Sequence, residues 1–162
     1  MTFGTEIPTR CRAVACIALR RGAEGAEVLL LKRADGPMAG VWTQVTGGIE
    51  PGETAAQAAA RELAEETGLV PEAFYSAGWV DHFYNPADDC IEVVPLFLAK
   101  VTPGAKVILD GEHTDWEWVS IEAAQARVPH HGHRVALDAV RHTFVEREPP
   151  EWLRVERYTG GP

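Results

Sequence analysis

Residues 53–69 read ETAAQAAARELAEETGL and restrict the fold more than any other part of the chain. Alanines and unbranched side chains dominate the run, so a helix is favoured along it. Thr54 stands at the N-cap position and Gly68 at C′, which sets the limits of that helix. Within it, Glu62, Glu65 and Glu66 fall close together beside one basic residue, Arg61. At about 100° per residue, Glu62 and Glu66 lie about 40° apart, one turn from each other. Like charges so placed repel. A solvated acidic face is the plain reading of RELAEE alone. A hard divalent cation such as Mg²⁺ or Mn²⁺ is the other, because it takes oxygen ligands and neutralises the repulsion.

The remainder must supply a core around this helix. The chain has 162 residues, enough for one domain. Apolar residues make up 46% and charged residues 24%, ordinary for a globular protein. Acidic side chains outnumber basic ones 24 to 15, a formal charge of −9. That balance disfavours sequence-independent binding to nucleic acid, which relies on Lys and Arg contacts to phosphate. It leaves room for a small anionic ligand if a cation mediates. Cys11, Cys16 and Cys90 lack CxxC spacing and read as reduced thiols. No run approaches the length of a membrane span, so the expected location is the cytoplasm.

CRAVACIALRR and AEVLLLKRAD, joined by GAEG, predict a hairpin or neighbouring strands. VWTQVT is a third strand candidate ahead of the helix. FYSAGWVDHFY and CIEVVPLFLAKV are further strands joined by NPADD, and Pro95 argues for an edge position or a bulge. KVILD and DWEWVS read as shorter strands. IEAAQARV and HRVALDAVRHTFVER have helical spacing, with Val135, Leu137, Val140 and Phe144 towards one side. The order strands, helix, strands, helix predicts an α/β or α+β sandwich with helices flanking a mixed sheet.

The helix is the second half of a longer pattern. Gly47 is followed after five residues by Glu53, and after seven more by Arg61-Glu62-Leu63-Ala64-Glu65-Glu66-Thr67-Gly68-Leu69. The loop TGGIEPGE is rich in glycine, which permits tight turns and close approach of a ligand. This stretch resembles the Nudix box at each of its specified positions: glycine, glutamate, Arg-Glu, aliphatic, Glu-Glu, glycine, aliphatic. The resemblance implies an α/β/α sandwich around a mixed sheet, here one domain over 1–162 with a core at about 8–147 and a tail at 148–162. It also implies hydrolysis of a pyrophosphate linkage between a nucleoside diphosphate and another group. Matched by position, Glu62 and Glu66 would be metal ligands, and Glu65 a further ligand or water-binding group. The Thr46 carbonyl would complete the set, and Arg61 would pair with Glu53.

Outside the box, Val45-Thr46-Gly47-Gly48 after GVWTQ, together with GEHTDWEWVS, resembles the dATP and dihydroneopterin triphosphate pyrophosphohydrolase subgroup. In that likeness Glu112 joins the metal site from across the cleft, and Arg33 corresponds to a phosphate-contacting arginine. Trp42 either flanks the cleft or fills the core. Tyr84 reads as a strand aromatic or as the tyrosine of diadenosine polyphosphate hydrolases. The expected substrate is a (deoxy)nucleoside triphosphate or a pterin triphosphate, bound by Arg33, Trp42, Thr46, Gly47, Gly48 and Tyr84 and cut with the help of a divalent metal. The alternatives are a dinucleoside polyphosphate hydrolase and a non-catalytic nucleotide sensor. His130, His131 and His133 match no zinc spacing and read as a loop between helices. The tail would either dock Trp152 on the domain or support a homodimer rather than a monomer.

Overall fold

The computed structural model describes residues 6–159. Eight strands form one mixed sheet: β1 (Thr9–Arg10), β2 (Ala13–Gly22), β3 (Gly25–Arg33), β4 (Trp42–Thr43), β5 (Val45–Gly48), β6 (Ala73–Asn85), β7 (Cys90–Lys100) and β8 (His113–Ser120). Helix α1 (Ala55–Thr67) follows β5, and α2 (Ile121–Arg127) and α3 (His131–Val140) follow β8.

The predicted hairpin is β2 and β3, antiparallel through Leu19↔Val28 to Gly22↔Gly25. At its far end the two strands separate, and β5 pairs with β2 (Ala13↔Gly48 to Cys16↔Val45) while β4 pairs with β3. The predicted single strand VWTQVT is therefore two short ones, since its halves bond to different partners. Strand β7 runs parallel to β2 and antiparallel to β6, and β8 covers the other edge of β3.

Alternation along β2 divides the core. Ala15, Ile17 and Leu19 pack with Leu137, Val140 and Phe144 on the face covered by α2 and α3. Val14, Cys16 and Ala18 pack with Ala58, Ala59 and Leu63 of α1 on the other. The result is the expected α/β/α sandwich.

Pro95 sits inside the sheet, not at an edge, and pairs with Val80 across a bulge. Three residues of β6, Ala77 to Trp79, stand opposite Leu96 alone, and Gly78 takes φ +68°. A proline without an N–H fits where the ladder is already interrupted. KVILD is not a strand: Lys106–Asp110 have no regular secondary structure, and the Ile108 N–H donates to the Thr67 carbonyl. The histidine run is not a connecting loop either, because His131 opens α3.

The tail docks, although not through Trp152, which is 80% exposed. Leu153 is buried in the α3-side core, the Tyr158 ring lies 4.7 Å from that of Phe74, and Arg154 bridges to Tyr75. Leu153 is the inward residue because Val155 N–H bonds to the Phe74 carbonyl and fixes the register. Residues 160–162 of the tail lie outside the described residues.

Candidate active site

Helix α1 starts where the sequence predicts. Thr54 accepts a hydrogen bond from the Gln57 N–H, and Gln57 answers through the Thr54 N–H, a full capping box. Gly68 ends the helix with φ +70°. These two ends hold Arg61, Glu62, Glu65 and Glu66 at a fixed rotation over β5.

Arg61 is the hub. Its Nε lies 2.6 Å and its Nη2 3.0 Å from the two oxygens of Glu53. Nη2 also donates to the Gly48 carbonyl at 2.8 Å, while Nη1 reaches Glu62 at 2.9 Å and Glu65 at 3.1 Å. Glu53 further accepts from the Glu50 N–H, and Arg61 beside it holds its carboxyl below the usual range. One guanidinium thus ties the Gly/Pro-rich loop, the end of β5 and the helix together.

Glu62 lies against the backbone of Gly47, where an added Cβ would come within 1.9 Å of its carboxyl carbon. Only glycine leaves that space. Glu66 is 2% exposed, and its Oε2 meets no partner among the described residues. Burial first, then Glu62, Asp110 and Glu112, push its carboxyl up to about 9, with Arg33 acting in the opposite sense. Burial also raises Glu62, against the pull of Arg61.

Glu112 reaches this group from the loop before β8. Its side chain is 64% exposed and stands 3.6 Å from Arg33 Nη1. Asp110, which the sequence reading did not single out, fixes that loop: its Oδ1 accepts from the Glu112 N–H and lies 3.1 Å from His113 Nδ1. No pattern in the sequence marks Asp110, because its part depends on how the loop before β8 folds back.

A cavity of about 900 Å³ shares Arg33 with the carboxylate cluster, although none of the glutamates lines it. Arg33 and Thr46 line its near end, and Trp79, Asp81, His133 and Gln44 line the remainder. The structure brings together Glu53, Arg61, Glu62, Glu65, Glu66, Glu112, Arg33, Thr46 and Gly47, with Gly48 supplying the carbonyl held by Arg61. Trp42 and Tyr84 stand apart from the cavity lining. Trp42 packs against the α3-side core, with Arg127 4.2 Å and Lys32 5.8 Å from its ring centroid. Tyr84 is 53% exposed and donates to Asp89. Trp79 and Asp81 escaped the sequence reading because the bulge at Gly78 sets which β6 residues face inwards.

The donor set suits a hard divalent cation. It is all oxygen, it carries excess negative charge on one helix face, and one of its buried oxygens is unpartnered.

Three comparisons place these features among known proteins. The family model described as NUDIX domain matches residues 9–142. The chain is 38% identical over 137 residues to an octanoyltransferase of Myxococcus xanthus, covering 80% of this chain and 36% of that protein. It therefore spans about a third of that relative's length. It is 28% identical over 140 residues to dihydroneopterin triphosphate diphosphatase of Escherichia coli, covering 78% of this chain and 91% of that protein. Among solved structures, a C. elegans Ap4A hydrolase binary complex superposes with a TM-score of 0.69 at 26% identity, over 84% of this chain and 96% of that one.

Proposed function

The chain belongs to the NUDIX family, and from that premise we propose that it is a divalent-metal-dependent pyrophosphohydrolase of a (deoxy)nucleoside triphosphate or dihydroneopterin triphosphate, releasing a monophosphate and pyrophosphate. The observation that carries the proposal is the cluster of Glu62, Glu66 and Glu112 beside Arg33, a residue that with Thr46 also lines the cavity. A relative that cleaves a pterin triphosphate, by its name, supports the substrate class.

Glu62 and Glu66 would hold the cation, Mg²⁺ or Mn²⁺, with Glu65, Glu112 and the Thr46 carbonyl as further oxygens. When bound, it supplies charge neutralisation and Lewis acidity at the anhydride. Arg61 keeps the loop, β5 and α1 in one geometry, so that the carboxylates do not reorganise during turnover. Arg33 offers its guanidinium to phosphate oxygens and shares it with Glu112. Glu112 and Glu65 are exposed carboxylates, able to take a proton from an attacking water. Water forms a new P–O bond on one side of the α–β bridge, and the bridging oxygen leaves with the other phosphorus.

The test is hydrolysis of dNTPs, dihydroneopterin triphosphate, diadenosine tetraphosphate and ADP-ribose by purified protein with Mg²⁺. Pyrophosphate release from a triphosphate is expected and should stop on chelation. Absence of any metal-dependent product would overturn the reading. A second reading, dinucleoside polyphosphate hydrolysis, draws on the similarity to the Ap4A hydrolase. It wins if diadenosine tetraphosphate is cut faster than every triphosphate.

A further inference from the structure

The far end of the cavity has a chemistry of its own. Trp79, Phe83, Val94, Leu96, Val135 and Ala136 give it mainly apolar walls. Asp81 is its carboxylate, seated against the first turn of α3, where a Cβ on Gly132 would come within 2.3 Å of Asp81 Oδ1. That oxygen accepts the His82 N–H, which leaves Oδ2 free of a partner among the described residues. The Trp79 indole N–H, on β6, and His133 Nδ1, on α3, belong to lining residues of the cavity, are buried and also lack partners among the described residues. Buried polar groups are nearly always paired, so two on residues lining one cavity point to a ligand that supplies the missing bonds. His133 does not contribute charge: burial, then His130 beside it, lower its pKa to about 4.

From these groups we infer that this end of the cavity reads the edge of a 2-amino-4-oxo heteroaromatic ring, the edge shared by guanine and pterin. The inference rests on the triphosphate hydrolase reading for the orientation of its ligand. A carboxylate only accepts hydrogen bonds, and it matches a ring N–H and an adjacent amino group, two donors side by side. The next atom on such a ring is a carbonyl oxygen, which needs a donor, and Trp79 holds the indole N–H. Trp79 and Asp81 are two apart on β6 and both line the cavity. Adenine presents no carbonyl and no ring N–H, so Asp81 would be left facing an acceptor. The negative charge of Asp81 also repels phosphate, which turns the polyphosphate towards Arg33 and the glutamates. The aromatic and aliphatic walls suit the faces of a flat ring.

The experiment measures binding by calorimetry in EDTA, where hydrolysis plays no part. GMP, IMP, AMP and dihydroneopterin monophosphate are the ligands; IMP differs from GMP only by the amino group. GMP and the pterin monophosphate should each bind at least about tenfold more tightly than IMP and AMP, the scale of a bidentate contact. The ratio of GMP to the pterin shows which source of the ring is preferred. Asp81→Asn should bring GMP and IMP to within about threefold of each other. Trp79→Phe, which keeps the ring and removes the N–H, should weaken GMP and IMP alike and preserve their ratio; it also serves if Asp81→Asn does not fold.

Equal binding of GMP and IMP by the parent, tighter binding of AMP, or failure of either GMP or the pterin to bind would overturn the inference. So would a preference that survives Asp81→Asn, or affinities untouched by Trp79→Phe. A ring preference without hydrolysis of any triphosphate would sink the proposed reaction and leave this subsite standing.

Discussion

Glu66 concentrates the problem of the site in one side chain. It is buried, its Oε2 is unpartnered, and Glu62, Asp110 and Glu112 all oppose its charge. A chain that keeps such a group needs something to neutralise it. Glu66→Gln should lower kcat by at least about 100-fold, the scale of removing a charged group from preorganised electrostatics. It should leave the fold intact by circular dichroism and shrink the rise in Tm that Mg²⁺ gives over EDTA. Turnover equal to the parent would refute the role. Spacing put Glu62 and Glu66 on one face of a capped helix, and the likeness of the whole Gly47–Leu69 stretch to the Nudix box made them legible as metal ligands. Asp110 was not legible: its part depends on how a coil segment with no period of its own returns to the end of β3. Trp42 and Tyr84 mark the same limit, since an aromatic in a strand reads alike whether it meets a ligand, an arginine or water.

Elements place these residues, and their ends are where the placement can be weakened. The capping box fixes the first turn of α1, so Thr54→Ala should cost about 1 kcal/mol, a fall in Tm of about 3 °C for a chain of this size. Gly47→Ala probes the seam between β5 and α1. The new Cβ would displace the Glu62 carboxyl, so weaker Mg²⁺ binding with little loss of Tm is expected from paired calorimetry and melting curves. The seam between β6 and α3 carries a pH dependence. Burial, His130 and Arg134 lower the pKa of His133 to about 4 while Asp81 opposes them, against an ordinary value near 6.5. The folded protein therefore stays unprotonated there where the unfolded chain takes up a proton. Stability from this group is full above about pH 6.5 and is lost as pH falls towards 4. The parent should lose several degrees of Tm more than His133→Asn across that interval. Helix α1 was legible because propensity, caps and periodicity agree over its length. KVILD failed because a short apolar run reads alike as a strand or as coil packed on a helix end, and the Ile108 bond to Thr67 decides between them.

At the scale of the molecule, the sheet separates two cores and the site lies where β2 and β3 part to admit β4 and β5. The order of elements made the layers legible; the parting was not, since it depends on which partners the short strands choose. The C-terminal segment then joins the two cores around the outer edge of β6. Leu153 enters the α3-side core, Arg154 bridges to Tyr75, and Val155 and Tyr158 reach the α1-side core. Covering the Phe74–Tyr75 stretch of β6 in this way shortens a free edge that could otherwise pair with another chain. Leu153 is 5% exposed and Trp152 80%, so two neighbours should behave oppositely. Leu153→Ala leaves a cavity and should cost about 2–5 kcal/mol, whereas Trp152→Ala should stay within about 0.5 kcal/mol of the parent. Chemical denaturation of both variants measures the difference. If Trp152→Ala were the destabilised one, the segment would dock by its other face, and the strap would have to be redrawn with Leu153 outward.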